Sequence, residues 1–424
     1  MKVLILSVGG SCEPLVNAIR EYQAERVYFL CSKASAQVVD GPGEPCVDSR
    51  KPESATGTPR AKSIVTQAGL ASDRYQKIVL EGDTGQDDLK ECYLKVGALA
   101  KEIDSNYPQA DVIANYTGGT KTMSVALAMA ATMRERWDLS LNVGSRVDLI
   151  KVSSGTDVPV VVDKWSIYCR MQMESVARVL IRFDYAGAEA VLSPLSSKPM
   201  DAGLQAKVVR ARQLSRAFDL WDRFDHEGAL AVFEPLAGTF PEHIVPLKRL
   251  AGKIGKAPEY ERVSDLERNA ERRAVQHRYD DAIARLYRAV ELFAQVRLKA
   301  IRGIETGNVE LSQIPPELQD AWRSRTRDTG KLILGLRDDY ELLRALGDRV
   351  GEVWKSQEPR VMDSLKRRNE GIGAHGLRPM REDDYTKVHQ TLAGFLAAAA
   401  ASIGVKLDAP QLPGEEILER LQLD

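Results

Sequence analysis

Four short runs rich in Val, Ile and Leu mark the front of the chain: Val3–Val8, Arg26–Cys31, Lys77–Gly82 and Asp111–Tyr116. Helical candidates lie between them at Glu13–Gln23, Arg60–Ala71 and Asp87–Ser105. Strands without polar alternation are buried on both faces, and intervening helices supply the crossovers, so this part predicts a parallel sheet covered on both sides. After a helix at Thr120–Arg136 come Leu139–Gly144, Val147–Val152 and Val158–Asp163, joined by short turns. These predict an antiparallel end to the sheet. The Gly/Pro/Ser-rich stretch Gly41–Pro59 predicts a long loop placed over a site.

From about Met171 strand signals nearly vanish and helical periodicity runs to the C-terminus. In the run Asp280–Leu298, Ile283, Leu286, Tyr287, Val290, Phe293 and Ala294 share one helical face, the pattern of a core-packing stripe. The fold class is therefore an α/β Rossmann-like domain at 1–170, a helical linker region at 171–257 and an all-α domain at 258–424. A chain of 424 residues accommodates such a division at roughly 150 residues per domain. The formal net charge of −1 excludes a basic coat over the whole molecule, so a polyanion must meet a local patch. The five cysteines, Cys12, Cys31, Cys46, Cys92 and Cys169, form no C-x-x-C pair. Neither a zinc ribbon nor a disulfide framework is expected, and a reducing cytoplasm fits them. The opening MKVLILSVGG is too short for a secretory signal, and Phe395–Val405 falls short of the roughly 20 residues of a membrane span. A cytoplasmic protein without a membrane partner is the expectation.

One strand-to-helix turn carries unusual chemistry. In NYTGGTKTMS, Asn115–Ser124, an apolar run leads in and a helix-like run leads out. Helix N-termini expose backbone N–H groups and a partial positive charge. Glycines at Gly118 and Gly119, hydroxyls at Thr117 and Thr120, and the Lys121 ammonium suit a phosphate there. Gly9, Gly10 and Ser11, after the first strand, form a second turn of the same kind. A P-loop is excluded because Thr120 precedes the lysine, and a dinucleotide fingerprint because no third glycine follows Gly10. The competing reading is a tight turn with a threonine cap.

A second informative stretch lies late in the chain. In LKRRNEGIGAHGLRPM, Arg368 is separated from His375 by six residues, Asn369 adjoins the arginine, and Gly371, Gly373 and Gly376 loosen the backbone. Histidine moves a proton near neutral pH, and an arginine stabilises charge growing on a phosphate. Together they suffice for metal-free RNA cleavage, in which the 2′-OH attacks the adjacent phosphate. Asn369 would orient a phosphate or the histidine, or cap the helix. Arg367 is the alternative arginine, at a spacing of seven. A capped or solvated histidine is the structural alternative. His226, His243, His277 and His389 lack metal-ligand spacing, so no metal or cofactor is expected.

Taken in this order, the features resemble the CARF–HEPN ribonucleases, ancillary effectors of type III CRISPR systems. NYTGGTKTM looks like their Thr-Gly-Gly-Thr-Lys turn, RRNEGIGAHG like their Arg-Asn…His signature, and YDDAIARLYRAVELFAQVRL like the helix before it. The resemblance implies a CARF domain binding a cyclic oligoadenylate through Gly9, Gly10, Ser11 and Thr117–Lys121. It implies a homodimer in which Arg368, Asn369 and His375 of both copies form one composite site. That site would cut single-stranded RNA without metal, in antiviral defence. It further implies slow cleavage of the messenger, with Thr117 or Lys121 taking part. Two other readings compete: a catalytically inactive CARF sensor that binds a partner, and a metabolic enzyme using a mononucleotide at the glycine turns.

Overall fold

The computed structural model describes residues 1–47, 57, 59–82, 85–144, 146–147, 151–152, 157–255, 259–325, 331–372 and 376–423, without the side chains of 146–147, 151–152 and 367–369. The chain forms two compact units, one of residues 1–171 with 198–202, the other of 172–197 with 203–424.

The first unit is built on a six-stranded sheet: β1 (Lys2–Ser7), β2 (Arg26–Cys31), β3 (Tyr75–Val79), β4 (Asp111–Asn115), β5 (Trp137–Val143) and β6 (Val158–Val162), in the order β6-β5-β4-β1-β2-β3. All neighbours pair parallel except β5 with β6, which are antiparallel. Both faces are covered, as the uninterrupted apolar strands require. Leu4, Leu6, Val27 and Phe29 pack against helix α1 (Glu13–Tyr22) through Leu15, Val16 and Ile19. Val3, Ile5, Tyr28 and Leu30 face α2 (Leu89–Asn106) and α3 (Lys121–Thr132) through Val96, Leu99, Met123 and Leu127. The order places β1 beside β4, where connections diverge to opposite sides of the sheet. That reversal is the topological switch point, outside which α/β sheets bind ligands.

Several local expectations change. The helix expected over Arg60–Ala71 is confined to Ile64–Ala68. Gly69, at φ +66°, turns the chain out of it, while Arg60–Ala61 pairs with Cys46–Val47 instead. The third strand starts at Tyr75 because its register is set by Val27 opposite. The Val147–Val152 run is a hairpin of two two-residue strands, Arg146–Val147 and Lys151–Val152. The cysteine expectation also needs correction: Cys12 and Cys46 form a disulfide with Cα atoms 5.8 Å apart, while Cys31, Cys92 and Cys169 are free and buried. Spacing alone could not reveal it, because the segment after α1's cap and the start of the long loop meet only in the folded unit.

The second unit is helical apart from a two-residue pairing of Val309–Glu310 with Lys331–Leu332. Its main core packs α4 (Glu259–Val275), α5 (Tyr279–Arg302), α6 (Leu336–Ala345), α7 (Arg349–Glu370) and α8 (Glu382–Ser402). The stripe read from the sequence is buried as expected: Ile283, Leu286, Val290, Phe293 and Ala294 are in the core and Tyr287 packs against it. Beside it runs a buried polar cluster. Asp222 accepts from Asn269 Nδ2 (2.8 Å), Arg272 Nε (2.7 Å) and Arg273. Asp265 accepts from Trp221 Nε1 (3.2 Å) and pairs with His226 Nε2 (3.0 Å). Opposite charges and multiple donors satisfy groups that burial would otherwise penalise. Among the described residues, no helix is long and apolar enough to cross a membrane.

Candidate functional site

The sheet brings the two glycine turns together. Gly9 follows β1 and Gly118–Gly119 follow β4, and the two backbones touch. A Cβ on Gly9 would lie 2.9 Å from the Gly119 amide nitrogen, and one on Gly118 would lie 2.4 Å from the Ser7 carbonyl oxygen. Gly119 also sits at φ +84°, where a side chain is strained. These three glycines are therefore demanded by turn-on-turn packing. Gly10 differs: nothing lies within 4 Å of its would-be Cβ, and it is exposed, as is Ser11. Gly10 is thus the glycine whose backbone is open to an incoming group.

Hydroxyl groups fix the second turn. The Gly118 carbonyl accepts from Ser7 Oγ (2.5 Å) and Ser124 Oγ (2.8 Å). Thr120 is the N-cap of α3; its Oγ1 accepts the Met123 N–H (3.2 Å) and donates to the Gln86 carbonyl (2.6 Å). Such a cap contributes about 1 kcal/mol to helix stability. Lys121 opens the helix and is exposed, with no carboxylate partner among the described residues. A cation at a helix N-terminus is unfavourable unless an anion joins it. Gly10, Ser11, Lys121 and the first-turn N–H groups of α3 therefore make one anion-receptive corner at the switch point.

Behind that corner lies a polar network with no sequence signature. Asn115, buried, accepts the Thr117 N–H (3.2 Å) and donates to Ser140 Oγ (3.0 Å) and Asn142 Oδ1 (2.8 Å). The Asn142 N–H donates to Thr117 Oγ1 (2.7 Å), which donates in turn to Asn142 Oδ1 (3.2 Å). Asp157 receives Asn142 Nδ2 (2.8 Å) and Asn17 Nδ2 (3.0 Å). Asn142 and Asp157 belong to the antiparallel end of the sheet, so only the β5–β6 register brings them to Thr117. The Asn in NYTGG was the one available hint, since Asn side chains commonly close turns on their own backbone.

The second candidate segment sits at the end of α7. Arg367, Arg368 and Asn369 occupy the last turn of that helix; their side chains, and His375 altogether, lie outside the described residues. What frames them is described. Beyond the helix the chain folds back on itself: the Gly376 N–H donates to the Gly371 carbonyl (3.3 Å) and the Arg378 N–H to the Glu370 carbonyl (3.0 Å). Arg378 braces the fold through Glu370 Oε2 (2.6 Å) and Asp384 Oδ1 (3.0 Å). These charge-assisted bonds give the Leu377–Asp384 stretch an intramolecular role. The His389 imidazole, on α8, is held below its ordinary pKa by burial, and the Tyr385 phenol is pushed up to about 12, mainly by burial with Glu271 adding. Both stay neutral at pH 7 and are ill suited to supply a proton. Among the described residues no group of three or more His, Cys, Asp or Glu side chains is placed to hold a metal ion.

Comparison with known proteins bears on both units. A family model described as the Csm6 HEPN domain matches residues 252–398. No curated protein matches the chain by sequence. Among solved structures, Enterococcus italicus Csm6 bound to cyclic hexa-2′-fluoro-hexa-dAMP superposes with a TM-score of 0.62 at 13% identity, covering 100% of this chain and 98% of that one. At that identity the likeness speaks for the fold, and it does so over the full length. With a Csm6 HEPN domain following an α/β unit whose glycine turns meet at the switch point, the chain belongs to the CARF–HEPN family, as a Csm6-like CRISPR effector.

Proposed function

We propose that the protein is a cyclic-oligoadenylate-activated, metal-independent endoribonuclease that cleaves single-stranded RNA in type III CRISPR defence. The observation that carries this reading is the union, in one chain, of an anion-receptive corner at the switch point and a Csm6 HEPN domain that spans Arg368 and His375. The ring's phosphodiesters are taken by Gly10, Ser11, Thr120 and Lys121, with Gly9, Gly118, Gly119 and Thr117 shaping the corner. The bound ligand of the Enterococcus italicus structure is a cyclic hexanucleotide analogue, in keeping with this choice of ligand class.

At the HEPN site, the RNA 2′-oxygen forms a bond to the adjacent phosphorus while the bond to the 5′-oxygen breaks. His375 handles the proton and Arg368 the charge on the phosphoryl oxygens, with Asn369 orienting the group. The active species is a homodimer, since a ring with an even number of units shares two-fold symmetry with a C2 pair. Exposed apolar side chains support that assembly: Val125, Met129 and Met133 form a stripe at i, i+4, i+8 on α3, and Ile372 and Leu377 flank the segment of His375. Residues 171–257 serve as the helical linker and 258–424 as the nuclease domain. For slow ring cleavage, Thr117 enters with its hydroxyl already engaged by Asn142, whereas Lys121 is uncommitted.

The test is labelled single-stranded RNA with and without cyclic tetra- or hexa-adenylate, in EDTA. Cleavage by wild type only with a ring, lost in His375→Ala, is the expected result. Ring binding without cleavage would favour the inactive-sensor reading, and preference for a mononucleotide would favour the metabolic enzyme.

A further inference from the structure

Asp280 opens α5, in the first turn, and its two carboxylate oxygens meet the two ends of a single segment. Oδ2 accepts the Met380 N–H at 3.3 Å. Oδ1 lies against Gly371, so close that a Cβ there would come within 2.5 Å of it. Oδ1 is buried and has no hydrogen-bond partner among the described residues. A buried acceptor left without a donor is a rarity that a plain scaffold has no reason to keep. Here it is kept at the point where α7 gives way to the stretch that carries His375. The stretch from Gly371 to Met380 is thereby closed at its neck by one side chain from a different helix.

We propose that Asp280 is a positioning residue for the ribonuclease reaction: its carboxylate clamps Gly371 and Met380 and so sets where His375 stands relative to α7 and Arg368. The glycine at 371 is part of the same device, because any larger residue collides with Oδ1. The inference rests on the nuclease reading above and adds to it a residue outside the Arg-Asn…His signature. The clamp works by shape and hydrogen bonding, so an amide of equal size at position 280 keeps it, and a methyl does not. Displacement of a catalytic group by about 1 Å costs on the order of a hundredfold in rate.

The experiment compares wild type, Asp280→Asn and Asp280→Ala in the full-length protein, saturated with the ring that activates wild type. RNA cleavage gives kcat and KM, calorimetry gives ring affinity, and thermal unfolding gives the folded fraction. Asp280→Ala is expected to lose about tenfold to a hundredfold in kcat, with KM and ring affinity within about twofold of wild type. Asp280→Asn is expected to return to within about threefold of wild-type kcat, since its oxygen still accepts the Met380 N–H. Unchanged kcat in Asp280→Ala, or equal loss in Asn and Ala variants, overturns the proposal. So does a loss confined to KM or to stability, because a clamp on His375 acts on the chemical step. Should Asp280→Ala not fold, Gly371→Ala decides on the same criteria, since its methyl drives the neck off the carboxylate. If wild type itself shows no ring-dependent cleavage, the nuclease reading fails and this inference falls with it, a result distinct from active wild type with an indifferent Asp280→Ala.

Discussion

The glycine corner of the first unit and the Gly371–Met380 segment of the second are both loops at the end of a regular element, yet they are held in opposite ways. The corner is held by backbone against backbone: Gly9 on Gly119, Gly118 on the Ser7 carbonyl, with hydroxyls closing the gaps. The late segment is held by charged side chains: Asp280 at its neck, and Arg378 bridging Glu370 and Asp384. Backbone packing tolerates no added atom but is indifferent to charge. Side-chain bracing tolerates isosteres and depends on charge and geometry. A receptor that must present N–H groups at fixed spacing suits the first arrangement, and a segment that must place an imidazole suits the second.

Four substitutions sharpen that contrast, and they are given in falling order of expected effect. Arg368→Ala should lower ring-dependent RNA cleavage by about a hundredfold or more, while Arg367→Ala should leave it within a few-fold. The reverse ranking, in the same cleavage assay, would move the catalytic role to Arg367. Gly118→Ala should destabilise the first unit by about 1–3 kcal/mol through the forced contact with the Ser7 carbonyl. Gly10→Ala should leave stability unchanged and weaken ring binding instead; urea unfolding and calorimetry on the two variants separate packing glycine from binding glycine. Lys121→Ala should weaken ring binding by about tenfold, an effect that shrinks as salt is raised, with no change in unfolding. Salt-independent loss would assign Lys121 a packing role.

The smallest effect concerns pH. Asp339 is fully buried at the start of α6, and burial, with Glu291 adding, pushes its carboxyl up to about 8. The unfolded chain releases that proton near the ordinary carboxylate pKa, so between those values the native state holds a proton that the unfolded state lacks. Stability contributed by the protonated group is complete at low pH and is lost as pH rises towards about 8. Asp339→Asn should therefore be more stable than wild type by at least about 1 kcal/mol at pH 8.5, with the gap closing towards pH 4. Thermal unfolding across that range checks it, and a gap that widens at acid pH would contradict the burial argument.

The parts of the molecule that were legible from sequence are those governed by local pattern. β2 runs over Arg26–Cys31, the same bounds as its apolar run, because a fully buried strand must be apolar throughout. Thr120 caps α3 because hydroxyls at that position satisfy an orphan N–H wherever they occur. What stayed hidden depends on register and long-range contact. Asn142 and Asp157 reach Thr117 only through the antiparallel pairing of β5 with β6, and Cys46 reaches Cys12 across a sequence separation of 34. Gly118 and Gly119 were assigned to ligand approach from composition, whereas the touching turns give them a packing reason. Asp280 was visible only as part of a helix, since nothing in its neighbours announces Gly371 or Met380.

The pairing of β1 with β4 joins Lys2–Leu6 to Asp111–Asn115, strands far apart along the chain. Neither glycine turn is complete as a receptor until that zipper closes. During synthesis, the ribosome must therefore release more than a quarter of the polypeptide before the corner can exist at all. A nascent or partly unravelled chain is blind to the messenger, and an alarm ligand would engage only copies whose central strands are already knit.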